Sequence, residues 1–204
     1  MDRNVWNQRY ETTDLVWTAE PNRFLVAEVE GLAPGTALDL GAGEGRNAVW
    51  LAQQGWQVTG VDFSDVGLAK ADQLAAAAGV DVSTTCADVT GYTPPPRGFD
   101  LVAVVYVHLP ASVRRAVYRR AADGVAPGGT LLVVGHDTTN PTDGYGGPQN
   151  PDVLFSPDDD VVADLAGSGL VVEKAERVPR PVMTEDGPRV AIDALVRAWR
   201  PEEP

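Results

Sequence analysis

Apolar residues fall in short continuous runs separated by longer amphipathic stretches. From about residue 36 to residue 134 the two patterns alternate. The run 36–40 precedes a helix-compatible stretch, 45–54. The run 57–61 precedes an Ala-rich helical stretch, 64–78, and the run 80–86 precedes a loop containing Pro94-Pro95-Pro96. Residues 99–107 read as a fully buried strand, 111–125 as a helix and 130–134 as another strand. Continuous apolar runs of this length predict strands covered on both faces. Their alternation with helices predicts a parallel sheet between helical layers. Two more strand-like runs, 170–178 and 190–199, are joined by a polar, Pro-containing loop around 183–188, which fits an antiparallel pair at the sheet edge.

The punctuation agrees. Ser64 is placed to cap the helix after the second strand, with Asp65 beside its positive end, and Gly79 is placed to end it. Ser156-Pro157 followed by Asp158, Asp159 and Asp160 predicts an N-cap and a carboxylate-rich first turn, so this acid run is read as helix-end charge rather than a metal site.

At 204 residues the chain is long enough for one domain with a real core, spanning 1–204. Residues 1–30 read as a helical lead-in or flap. They carry Trp6-Asn7-Gln8-Arg9-Tyr10 and Val16-Trp17, more aromatic surface than a connection needs. Residues 137–155, dense in Gly, Pro and Asn, follow the fifth strand and read as a lid loop. The net charge of −13 excludes a role built on phosphate-backbone contacts, so no nucleic-acid partner is expected. A single cysteine, Cys86, excludes an internal disulfide framework and a Cys-based zinc site. No run approaches the ~20 apolar residues of a membrane span. The expectation is a cytoplasmic protein without a membrane partner.

The most informative segment is Leu38-Asp39-Leu40-Gly41-Ala42-Gly43-Glu44-Gly45-Arg46-Asn47, between the first strand and its helix. Glycines there allow a sharp turn and close approach of a ligand. Dinucleotide loops run G-x-G-x-x-G, whereas Arg46 stands where the third glycine of that spacing would fall, and Asp39 and Glu44 would repel a pyrophosphate. Asp39 instead suits an ammonium group. Asp62 ends the second strand, 21 residues after Gly41, where a carboxylate can hold both hydroxyls of a ribose. Asp88 follows the third strand and can take an adenine amine, with Phe63 and Val89 as apolar faces for the ring.

Asp39 to Gly45, Val58 to Asp62, Ala87-Asp88-Val89 and Phe99 to Pro110 together resemble successive motifs of the class I S-adenosylmethionine-dependent methyltransferases. The Gly45-Arg46-Asn47 ending of the loop and the leading Trp6-x-x-Arg9-Tyr10 pattern resemble the small-molecule branch, which includes tellurite-resistance and thiopurine methyltransferases. The resemblance implies a three-layer, Rossmann-like α/β sandwich with a seven-stranded, mostly parallel sheet whose last strand is antiparallel. It implies S-adenosylmethionine as cofactor. Gly41, Ala42, Gly43, Gly45 and Arg46 would lie at the methionine moiety, and Asp62 and Asp88 would hold the nucleoside. Val105, in the fourth strand, would lie beside it, and Arg9 and Tyr10 are candidates for the methionine carboxylate.

The two histidines, His108 and His136, follow the fourth and fifth strands, whose ends face one crevice in a parallel sheet. His136, beside Asp137, is the stronger candidate base. His108 is equally compatible with a role in the turn, and the pair lacks a clear third metal ligand. Trp17, Tyr106 and Tyr145 are the candidate substrate contacts. The expected activity is methyl transfer to a small thiol, soft anion, hydroxyl or amine. An NAD-type oxidoreductase and a catalytically silent cofactor-binding protein are the alternatives.

Overall fold

The structure, a computed structural model, describes residues 3–12 and 14–202, so residues 1, 2 and 13 of the expected lead-in lie outside the described residues. The alternating runs become β1 (Thr36–Leu40), β2 (Gln57–Asp62), β3 (Val82–Cys86), β4 (Phe99–Val105) and β5 (Val125–His136). β1 pairs in parallel with β2 and β4, β2 with β3, and β4 with β5. β6 (Val171–Thr184) and β7 (Gly187–Trp199) complete a seven-stranded sheet of order β3-β2-β1-β4-β5-β7-β6, with β7 antiparallel to both neighbours.

Side chains alternate along a strand, so each buried strand feeds two cores. Leu38, Leu40, Val102, Val104, Leu131 and Val133 pack on one face with Val117 and Tyr118 of α5 (Ala111–Asp123). Ala37, Leu101, Ala103, Leu132 and Val134 pack on the other, with Leu25 of α2 (Arg23–Val29) and Leu51 of α3 (Arg46–Gln53). This is the expected three-layer sandwich. α4 (Asp65–Ala78) begins and ends as its sequence predicts: the Ser64 hydroxyl accepts the Gly67 N–H at 3.0 Å, and Gly79 closes the helix in the left-handed region. α1 (Arg3–Tyr10) lies against α4.

Two expectations are corrected. The loop around 183–188 is only a two-residue turn, Glu185-Asp186, because the strands run on through Pro179, Pro181 and Pro188. Proline is tolerated where no neighbour needs its N–H. β6 is the outermost strand, and β5 pairs with β7 only as far as Asp193. Beyond that point β6 and β7 continue as a two-stranded ribbon.

Ser156 caps the helical segment that follows it, as expected: its hydroxyl accepts the Asp160 N–H at 3.2 Å, Pro157 opens one wide turn, Pro157–Val161, and the short α7 (Val162–Leu165) continues it. Its acids are not all helix-end charge. Arg114 of α5 bonds Asp164 at 2.7 Å and Asp160 at 3.1 Å, and the Arg114–Asp164 pair is almost wholly buried. Among the described residues no helix is long and apolar enough to cross a membrane.

Candidate active site

The C-terminal ends of β1, β2, β4 and β5 share one edge, and a cavity of about 700 Å³ opens there. Its floor is the glycine loop. Gly41 and Gly45 have φ of 79° and 82°, a region open to glycine and strained for other residues. A side chain at Gly41 would strike Val107, and one at Gly45 would strike Ala71 of α4. These glycines therefore serve the turn and its packing as well as the approach of a ligand.

Asp62 holds the loop. Its Oδ2 accepts the Gly43 N–H at 2.9 Å and its Oδ1 the Ser64 N–H at 2.8 Å. Burial raises its pKa, and these hydrogen bonds oppose the rise. Each oxygen keeps a lone pair for a ligand on the cavity side. Phe63, Val89 and Val105 form apolar wall beside it. Two expected residues stand off the wall. Asp88 is exposed, and its Oδ1 accepts the Thr90 N–H at 2.8 Å. Asp39 is 1% exposed beneath the loop, its Oδ2 unpartnered, and burial pushes its carboxyl up to about 7.

Glu44 does more than add negative charge to the loop. It is buried, and its two oxygens accept the N–H groups of Val16 and Trp17, each at 3.1 Å. Lys70 of α4 balances it at 3.0 Å and donates to the Asp14 carbonyl at 2.8 Å. Asn47 accepts the Asn22 N–H at 2.8 Å. The lead-in is thus tied down over the loop, and Trp6, Arg9, Tyr10 and Trp17 reach the cavity. The Arg9 guanidinium lies 5.2 Å from the Trp6 ring centre and 4.9 Å from that of Trp17. Tyr10 is buried beside Gly43, and its hydroxyl is pushed up to about 12, chiefly by burial. Glu44→Ala leaves two backbone donors without their acceptor, at a cost of about 1–3 kcal/mol each where they are desolvated. The expected result is faster proteolytic cleavage between residues 11 and 22 with the sheet core intact. Unchanged cleavage would remove Glu44 as the tether.

The other end of the cavity is built from β4, β5 and the β6–β7 ribbon. Tyr106 follows β4 at φ 57°, a conformation costing roughly 1–3 kcal/mol for such a residue. Its hydroxyl donates to the fully buried Asp193 at 2.6 Å, which also takes the Arg180 Nε at 2.6 Å. Tyr106 stacks obliquely with His136 at 4.9 Å between ring centres. His108 Nε2 and His136 Nδ1 are 2.9 Å apart. Burial holds both imidazoles below their usual range, to about 4, and the Arg180 charge adds to this at His136. Both are therefore neutral near pH 7, and one N–H is shared between them. In either tautomer the pair presents one bare outer nitrogen and one outer N–H.

Asp137, next to His136 in the chain, does not bond it. Asp137 turns to Thr139 and Arg177, and the partner of His136 is His108. The loop at 137–155 contains α6 (Asn140–Asp143) and lies over this end through Tyr145, Gly146, Gly147 and Pro148. Buried Asn140 secures it, donating to the Gly146 carbonyl at 2.8 Å and accepting the Ile192 N–H at 2.7 Å. Gly147 rests on the His136 ring, leaving no space there for a side chain. Arg180 and Val182 also line the cavity. Sequence reasoning missed them because three prolines argue against a strand at that place.

The fold is the Rossmann-like methyltransferase fold. Residues 37–129, from β1 into β5, the segment that holds the glycine loop and Asp62, match the family model described as methyltransferase domain. The chain is 36% identical over 114 residues to the ubiquinone biosynthesis O-methyltransferase of Pseudomonas paraeruginosa, covering 53% of this chain and 47% of that protein. It is 36% identical over 75 residues to the ribosomal RNA small subunit methyltransferase C of Alcanivorax borkumensis, covering 30% of this chain and 23% of that protein. The chain thus spans about half the length of the first relative and a quarter of the second. Among solved structures, one described as the conversion of a disulfide bond into a thioacetal group during echinomycin biosynthesis superposes with a TM-score of 0.79 at 21% identity, over 99% of this chain and 93% of that one. TehB from Haemophilus influenzae superposes with a TM-score of 0.71 at 18% identity, over 97% of this chain and 66% of that one.

Proposed function

We propose that the protein is an S-adenosylmethionine-dependent methyltransferase acting on a small-molecule acceptor. The observation that carries this reading is a single cavity running from the glycine loop and Asp62 to the His108–His136 pair. Its volume of about 700 Å³ lies within the range usual for small-molecule sites. The residues fit the cofactor. The free lone pairs of Asp62 suit a ribose diol, Phe63, Val89 and Val105 suit a purine, and the guanidinium of Arg9 suits a carboxylate. When bound, the cofactor supplies a methyl group on a sulfonium, open to in-line attack.

The chain's own residues align, exclude water and move a proton. The lead-in held by Glu44 covers one end of the cavity, and residues 145–148, held by Asn140, cover the other. The bare outer nitrogen of the histidine pair accepts the acceptor's proton where one must leave. The shared N–H can pass across the pair, so the charge spreads over two rings. The O-methyltransferase relative supports an oxygen acceptor. The net charge of −13 supports a small molecule over a nucleic acid. The lone free Cys86 agrees with a reducing cytoplasm.

The test measures S-adenosylhomocysteine binding by calorimetry and its release from S-adenosylmethionine over a panel of phenols, thiols, amines and carboxylates. Micromolar binding and turnover with one acceptor class are expected. Binding without turnover would make the protein a cofactor-binding module, and absence of binding would overturn the reading.

A further inference from the structure

Arg46, at the end of the glycine loop, and Arg180 both line the cavity, and they differ in one respect. Arg180 is neutralised by its 2.6 Å bond to buried Asp193. Arg46 makes no hydrogen bond or ion pair with any described residue, although it is half-buried and burial lowers its pKa. A cation removed from water without a counter-ion is costly. The groups whose charges act on it are Tyr106, Asp39, Arg180 and Tyr10. Both phenols are held neutral, their pKa values raised by burial. Asp39 is pushed up to about 7 and lies beneath the loop, and Arg180 repels. The neighbouring histidines are neutral as well. This end of the cavity therefore holds surplus positive charge inside a chain of net charge −13. The cofactor brings one carboxylate, and Arg9, between Trp6 and Trp17 on the lead-in, is placed to take it. Arg46 lines the same cavity and feels Tyr106 and Arg180 as well as Tyr10.

We propose that Arg46 binds an anionic group of the acceptor, a carboxylate or similar oxyanion, and so selects acidic small molecules beside the His108–His136 pair. The proposal rests on the methyltransferase reading and names its substrate class. A planar guanidinium recognises such a group through two parallel hydrogen bonds.

Benzoate and benzamide, two rings of similar shape that differ in charge, are titrated into the protein saturated with S-adenosylhomocysteine. Benzoate is expected to bind at least about tenfold more tightly at pH 7.5. Arg46→Met should erase the preference and Arg46→Lys should keep part of it, both with an unchanged melting profile. Equal binding of the two probes, or binding of neither, overturns the proposal. So does a tenfold loss of S-adenosylhomocysteine affinity in Arg46→Met, which would give the guanidinium to the cofactor. Failure of the parent protein to bind S-adenosylhomocysteine overturns the methyltransferase reading itself, and the two failures are read in separate titrations.

Discussion

Asp62→Ala is expected to weaken S-adenosylhomocysteine binding by about ten- to a hundredfold. Hydrogen bonds to a charged group contribute about 1.5–3 kcal/mol, and each ~1.4 kcal/mol is a factor of ten. The carboxylate has two tasks at once. It accepts the Gly43 and Ser64 N–H groups at 2.9 and 2.8 Å, and it turns its remaining lone pairs to the cavity. Alanine removes both, so a loss of affinity alone would not separate a lost ligand contact from a slackened loop. Adenosine and 2′,3′-dideoxyadenosine separate them. The parent protein should prefer adenosine, and Asp62→Ala should bind the two nucleosides alike. A preference for adenosine that survives the substitution would move the ribose elsewhere.

The second large effect is expected at the histidine pair. His136→Phe keeps the ring stacked on Tyr106 and removes both nitrogens, so kcat should fall by about 10²–10⁴, the usual contribution of a positioned base, while cofactor affinity is retained. His108→Phe leaves His136 Nδ1 without its partner at 2.9 Å and should lower kcat less. The double variant should resemble His136→Phe, because groups that act as one unit are not additive. An unchanged kcat in His136→Phe, with the proton-bearing acceptor that the parent methylates best, would remove the pair from catalysis.

The same pair gives a pH signature in stability. Both imidazoles are held to about 4 in the folded protein, below the ordinary value of 6.5. Between those values the unfolded chain binds protons that the native state refuses, so stability falls as pH drops from 6.5 toward 4. Below about 4 that contribution is fully lost. Thermal melts of the parent should decline more steeply across this window than those of the double Phe variant. Asp39, pushed up to about 7, acts with opposite sign: its contribution is present at low pH and is lost as pH rises through 7. It is common to both proteins and leaves their difference unaffected.

Much of the fold was legible because its signals are local. Apolar runs of five to seven residues, Ser64 before a helix and Gly79 after it, and the glycine loop all act within one or two turns of chain. The strand ends of the parallel sheet follow from those signals, and with them the clustering of Gly41, Asp62, Val105 and both histidines. The β6–β7 ribbon was not legible. Pro179, Pro181 and Pro188 read as loop, and only the missing neighbours on both outer edges make strand geometry acceptable there. Glu44 was visible only as charge, since its partners Val16 and Trp17 are separated from it by α2 and β1.

The sequence by itself determined the layer order, the glycine loop and which acids end which strands, because period, capping and backbone freedom are properties of adjacent residues. Only the tertiary structure decided the pairing of side chains. It joined His108 to His136, gave Asp193 to Tyr106 and Arg180, and left the Arg46 side chain without a hydrogen-bonded partner among the described residues. Long polar side chains reach whatever the crossovers bring within about 3 Å, and that choice is made by packing across the sheet, not by spacing along the chain.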